Sequence, residues 1–115
     1  MEKDYLQLRV LEVAPDVYAC GPLFESDLKL LADQGVRSIV YTRPDDESPG
    51  QPPSADLARA AGEFGIEFVY FPVAAGPISS TSAAGFAQAC EGLKRPLFVC
   101  SQSGGRATKI WETAE

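Results

Sequence analysis

Short apolar runs at 16–20, 36–42, 66–73 and 97–100 alternate along the chain with segments in which apolar residues recur every three or four positions. The two periods predict strands and helices in alternation. In 25–34, Leu28, Leu30, Leu31 and Ala32 follow acids in the first turn, and Gly35 is placed to close a helix in a left-handed cap. Ser54 is placed to cap a second helix with Leu57, Ala60, Ala61 and Phe64 on one face and Gly65 at its end. Ser79 or Ser80 caps a third, with a stripe of Ala83, Phe86, Ala87, Cys90 and Leu93. A last helix is expected over 106–112. It has only about two turns, so a C-terminal helical part is expected to be missing.

Leu6, Leu8 and Val10 alternate with polar residues and predict an edge strand within 1–16. The run IEFVYFPV at 66–73 is almost continuously apolar, as in a parallel strand covered on both faces. Helices of about ten residues between such strands impose right-handed crossovers. The expected fold is a single three-layer α/β domain over 1–115, with a mainly parallel central sheet of about four to five strands and helices on both faces. Ligands in such sheets bind beyond the carboxyl ends of the strands, where the loops 43–53, 74–77 and 100–106 lie. The first of these contains Pro44, Pro49, Pro52 and Pro53, which forbid regular structure, and the acids Asp45, Asp46 and Glu47.

A net charge of −6 repels nucleic acid and anionic membranes at long range, so neither is an expected partner. No apolar run approaches the roughly 20 residues that span a bilayer, and the N-terminus lacks a secretory pattern. A cytoplasmic protein without cofactor or metal is the expectation. Cys20, Cys90 and Cys100 are odd in number and widely scattered, which predicts free thiols rather than a disulfide framework or zinc site. The chain contains no histidine. Ser-His-Asp triads, Cys-His dyads and His-ligated metals are therefore excluded.

The chemistry concentrates in 96–111, PLFVCSQSGGRATKIW. A strand that ends in a small glycine-containing loop and opens a helix directs successive N–H groups into one concavity, which suits an anion. Ser101, Gln102, Ser103, Gly104 and Gly105 would supply that backbone. Cys100 and Arg106, six positions apart, would add a nucleophile and a planar two-pronged donor. Gly104 and Gly105 are read either as a tight connection or as places where the backbone approaches an oxygen. Ile110 and Trp111 are assigned to the core, and Tyr41 and Tyr70 to strands.

Several motifs carry a family resemblance: 42–47 (TRPDDE) followed by 49–52 (PGQP), Phe71-Pro72-Val73 with Gly76 and Ile78, and 96–99 (PLFV) before Ser103-Gly104-Gly105-Arg106. Together they resemble the phosphatase-like domain of bacterial beta-lactamase-hydrolase-like proteins, itself similar to dual-specificity phosphatases, from about Val17 onward. The resemblance implies phosphoric-monoester hydrolysis, or binding of a phosphorylated small molecule or protein. A Cys-x-Ser/Thr-Gly-x-Arg loop in that family aligns Ser103, Gly104 and Arg106 and puts Ser101 in the cysteine's place. Two readings stand: Cys100 attacks from a five-spacer loop, or Ser101 occupies the nucleophile position of a weak or inactive binder. A rhodanese-like sulfurtransferase is a third. The fold's usual aspartic acid donor has no counterpart in 74–77, which makes Asp45, or Asp46, the substitute leaving-group acid.

Overall fold

The computed structural model describes residues 10–115. Leu6 and Leu8 of the expected first strand lie outside the described residues. Strand β1 (Val10–Ala14) pairs antiparallel with β2 (Val17–Cys20). Asp16, in the turn between them, takes the left-handed conformation with φ 56°. The chain continues through α1 (Glu25–Asp33), β3 (Ser38–Tyr41), α2 (Ser54–Glu63), β4 (Glu67–Tyr70), α3 (Ser80–Cys90), β5 (Leu97–Cys100) and α4 (Gly104–Ala114). The five strands of the described residues form one sheet in the order β1-β2-β5-β3-β4, parallel except for β1.

Strands β2, β3 and β5 alternate their side chains between the two helical layers, and this parity bears directly on the site. Tyr18, Cys20, Ile39, Tyr41, Phe98 and Cys100 pack with Leu28 and Leu31 of α1 and Leu57, Ala60 and Ala61 of α2. Val17, Ala19, Val40, Leu97 and Val99 pack with Phe86 of α3 and Ala107 and Ile110 of α4. Phe86 meets Phe71 and Trp111 edge to face, at centroid separations of 6.0 and 6.3 Å. The expected three layers are present, and Ile110 and Trp111 belong to the core.

Several boundaries differ from the pattern. Helix α4 begins at Gly104, two residues before the expected start, because Ser103 caps it. Ser54 is the first residue of α2 rather than its cap. Its N–H and Oγ both donate to Asp45, at 2.7 and 2.8 Å, so a carboxylate nine residues upstream does the capping. Phe64 sits just past α2 and is exposed, and Ala87 faces solvent, leaving Ala83, Phe86 and Cys90 as the inward seam of α3, with Leu93 beyond its end packed on the same cluster. Ser79 caps α3 through Ser82 N–H at 3.0 Å, and Gly35 takes the left-handed φ of 91° after α1, both as the pattern predicts.

The loops after β2 and β3 lead to α1 and α2 on one face, whereas β5 leads to α4 on the other. Chains that leave neighbouring strands in opposite directions open a crevice at the carboxyl ends, here at the end of β5. Among the described residues no helix is long and apolar enough to cross a membrane, and no cluster of His, Cys, Asp and Glu could hold a metal.

Candidate oxyanion-binding site

Strand β5 ends at Cys100, and its neighbours hold the exit in place. The Cys100 carbonyl accepts from Thr42 N–H at 2.8 Å and Thr42 Oγ at 3.0 Å, while Ser101 N–H donates to the Cys20 carbonyl at 3.2 Å. Alternation then sends Ser101 toward the α4 face, where it is almost fully buried. Its hydroxyl donates to the Ser103 carbonyl at 2.7 Å and accepts from Ser103 N–H at 3.4 Å, folding the loop back on itself. Ser103 Oγ accepts from Arg106 N–H at 3.2 Å. The first N–H groups of a helix have no partner within it, and among the described residues those of Gly104 and Gly105 find no protein acceptor. Gln102 is exposed at the tip of the loop.

Cys100 is not beneath this loop. Its side chain lies on the opposite face of the sheet, among Tyr18, Tyr41 and Phe98, with no exposed surface. It is joined to Cys20 in a disulfide, across the register pair Cys20–Cys100 of parallel neighbours whose Cα atoms are 4.8 Å apart. The expectation of three free thiols is thereby corrected. Two cysteines 80 positions apart in sequence show no spacing signal, and only the insertion of β5 beside β2 brings them together. Cys90 alone is free, and burial pushes its thiol up to about 11.

Arg106 is held inward by two other loops. Its Nη2 donates to the Val73 carbonyl at 2.6 Å, and its Nη1 to Glu47 Oε2 at 3.2 Å. The second oxygen of Glu47 accepts from Arg43 Nε at 3.3 Å. Arg43, Glu47 and Arg106 thus form a line of alternating charge, with side chains only 7, 17 and 19% exposed. The loops 43–53 and 100–106 meet here as the fold pattern predicts, and Val73, just before 74–77, completes the junction. Asp45 does not join them, since both its carboxylate oxygens are engaged by Ser54. Asp45 thus caps α2 instead of facing the loop as a leaving-group acid. Asp46, with a left-handed φ of 63°, is exposed.

The sequence pattern missed Glu47 as the partner shared by Arg106 and Arg43. The four-residue separation of Arg43 and Glu47 was the available signal, masked because an acidic, proline-rich loop reads as solvated. Among the described residues Tyr41 Oη is buried without a hydrogen-bond partner, and burial raises its pKa despite Arg43.

Gly104 and Gly105 have ordinary backbone angles, and a Cβ at either would meet no atom within 4 Å. Neither is required by the fold. Replacing Gly105 by Ala should therefore raise stability by roughly 0.5–1 kcal/mol, the usual gain in a helix. If the open side of the glycine is where an oxyanion seats, the same variant should bind phosphate more weakly. Thermal unfolding and a phosphate titration of one preparation check both signs; weaker binding with lower stability would point to simple damage.

Residues 8–115 match the family of the beta-lactamase hydrolase-like protein, phosphatase-like domain. The chain belongs to that family. The beta-lactamase hydrolase-like protein of Agrobacterium fabrum is 32% identical over 108 residues, covering 94% of this chain and 25% of the relative. That of Xylella fastidiosa strain 9a5c is 26% identical with the same coverage. This phosphatase-like domain therefore spans about a quarter of the length of the curated relatives it matches. Its fold is similar to a phosphatase candidate from Neisseria meningitidis, with TM-score 0.79, 25% identity, and coverage of 88% of this chain and 72% of that one. Kinase associated phosphatase, crystallised with its catalytic-site cysteine replaced by serine, matches with TM-score 0.64 at 17% identity, over 85 and 65% of the two chains. The α/β/α architecture expected from the alternating pattern is thus that of the cysteine phosphatases.

Proposed function

We propose that this phosphatase-like domain binds a phosphoryl or similar oxyanion group in loop 101–106 and does not turn it over through a cysteinyl intermediate. The observation that carries the reading is that Cys100 packs on the α1/α2 face of the sheet; strand alternation then directs the next residue, Ser101, toward the side from which α4 and Arg106 rise. The amides of Gly104 and Gly105 and the guanidinium of Arg106 supply the oxyanion contacts. A serine hydroxyl stays protonated without a neighbouring base, and the chain has no histidine to act as one. A rhodanese-like sulfur transfer needs a thiolate at the same point, where this loop holds a hydroxyl.

A cysteine-to-serine substitution is compatible with binding in a neighbour of the same fold: such a variant of Pseudomonas aeruginosa TpbA was crystallised in complex with pTyr. Calorimetric titration with orthophosphate and with tungstate tests the proposal. Saturable binding is expected, with at least a tenfold loss in Arg106→Ala, since a charge-assisted contact contributes about 1.5–3 kcal/mol. Absence of heat and of thermal stabilisation by either anion would remove the reading.

A further inference from the structure

We infer that Glu47 sets the charge of ligand the loop accepts, holding it to anions of low charge. The inference rests on the oxyanion reading of loop 101–106 and adds a selectivity residue to it. Arg106 is the cation of the loop, and it already shares one nitrogen with a carboxylate 3.2 Å away. That carboxylate is itself held by Arg43, whose side chain is nearly buried. Glu47 is thus a fixed, partly desolvated negative charge one guanidinium away from any oxyanion on Arg106. The remaining charges of loop 43–53 do not offset it, because Asp45 and Asp46 are also acidic. Within 74–79 there is no charged residue at all.

Repulsion between Glu47 and a bound anion scales with the anion's charge at a fixed distance. Removing the carboxylate's charge must therefore help a dianion twice as much, in free energy, as a monoanion of the same shape. In affinities, the dianion's gain is the square of the monoanion's. A mere geometric brace for Arg106 has no such dependence: its loss weakens both ligands by one factor.

Phenyl phosphate, above its second ionisation, and phenyl sulfate form such a pair. In Glu47→Gln, which keeps an oxygen for Arg106 to contact, phenyl sulfate should bind about threefold more tightly and phenyl phosphate about tenfold. Arg43→Gln, which removes the partner and leaves Glu47 unneutralised, should reverse both signs and keep the squared relation. Thermal unfolding of each variant identifies any loss of the folded state, and Glu47, the less buried of the pair, is better placed to tolerate the change. Equal factors for the two ligands, weaker binding of both in Glu47→Gln, or loss of the fold in both variants overturns the inference while wild-type binding keeps the oxyanion site. No binding of either ligand by wild type overturns the oxyanion reading together with this one.

Discussion

Ser101→Cys is expected to convert the domain into a phosphatase toward aryl phosphates, with hydrolysis roughly a hundredfold or more above wild type. The expectation follows from the position of residue 101 alone. It is the first residue after β5, it is buried, and its hydroxyl already bonds within the loop that Ser103 and Arg106 close, while alternation turns it away from the Cys100 face. A thiol there meets a helix N-terminus and a guanidinium, both of which favour the thiolate over the free value of about 8.5. The thiolate attacks phosphorus, the bond to the phenolic oxygen breaks, and water later releases phosphate from sulfur. No carboxylate is present in 74–77 and Asp45 is occupied by Ser54, so the leaving group must depart unaided. Activity should thus appear with p-nitrophenyl phosphate and be much lower with an alkyl phosphate. The new thiol lies across the sheet from Cys20 and Cys100, which keeps it apart from their disulfide. A folded, phosphate-binding Ser101→Cys protein with no added activity would show that position 101 is not the nucleophile's place.

Reduction of the Cys20–Cys100 disulfide, or Cys20→Ala with Cys100→Ala, is expected to cost about 2–5 kcal/mol. The bond closes most of the chain, with a sequence separation of 80, and ties the central strand β5 to its neighbour β2. For a domain of this size, such a loss lowers the midpoint of thermal unfolding by roughly 10 °C or more. Reductant should lower the midpoint of wild type and leave that of the double variant unchanged. The oxidised protein, unfolded, should show one reactive thiol, Cys90; in the folded protein it reacts slowly, because burial holds its pKa near 11. Three thiols in the unreduced chain would contradict the pairing. Oxyanion binding should survive in the double variant, since both sulfur atoms lie on the face away from α4.

How far the sequence could be read follows the range of the interactions concerned. Local signals were legible: Gly35 after α1, Ser79 before α3 and the apolar strands place the elements correctly to within a few residues. The three-layer architecture follows from their alternation. Long-range pairings were not legible. Asp45 caps α2 in place of Ser54 because the 43–53 loop folds back over the helix, and Cys20 meets Cys100 because β5 inserts between β2 and β3. The dispute between Cys100 and Ser101 lies between these cases. Leu97 and Val99 share one face of β5 and Phe98 and Cys100 the other, so the period of two separates the candidates once the face of α4 is known. The missing information was that face, which only the packing of Ala107 and Ile110 supplies.

The central claim, an oxyanion seat made by loop 101–106, is tested most directly by following backbone amide resonances during titration with orthophosphate. Saturable shifts are predicted for Gly104, Gly105 and Arg106, with one common dissociation constant, and their loss in Arg106→Ala. Shifts confined to residues outside 101–106, or none at saturating phosphate, would contradict the account.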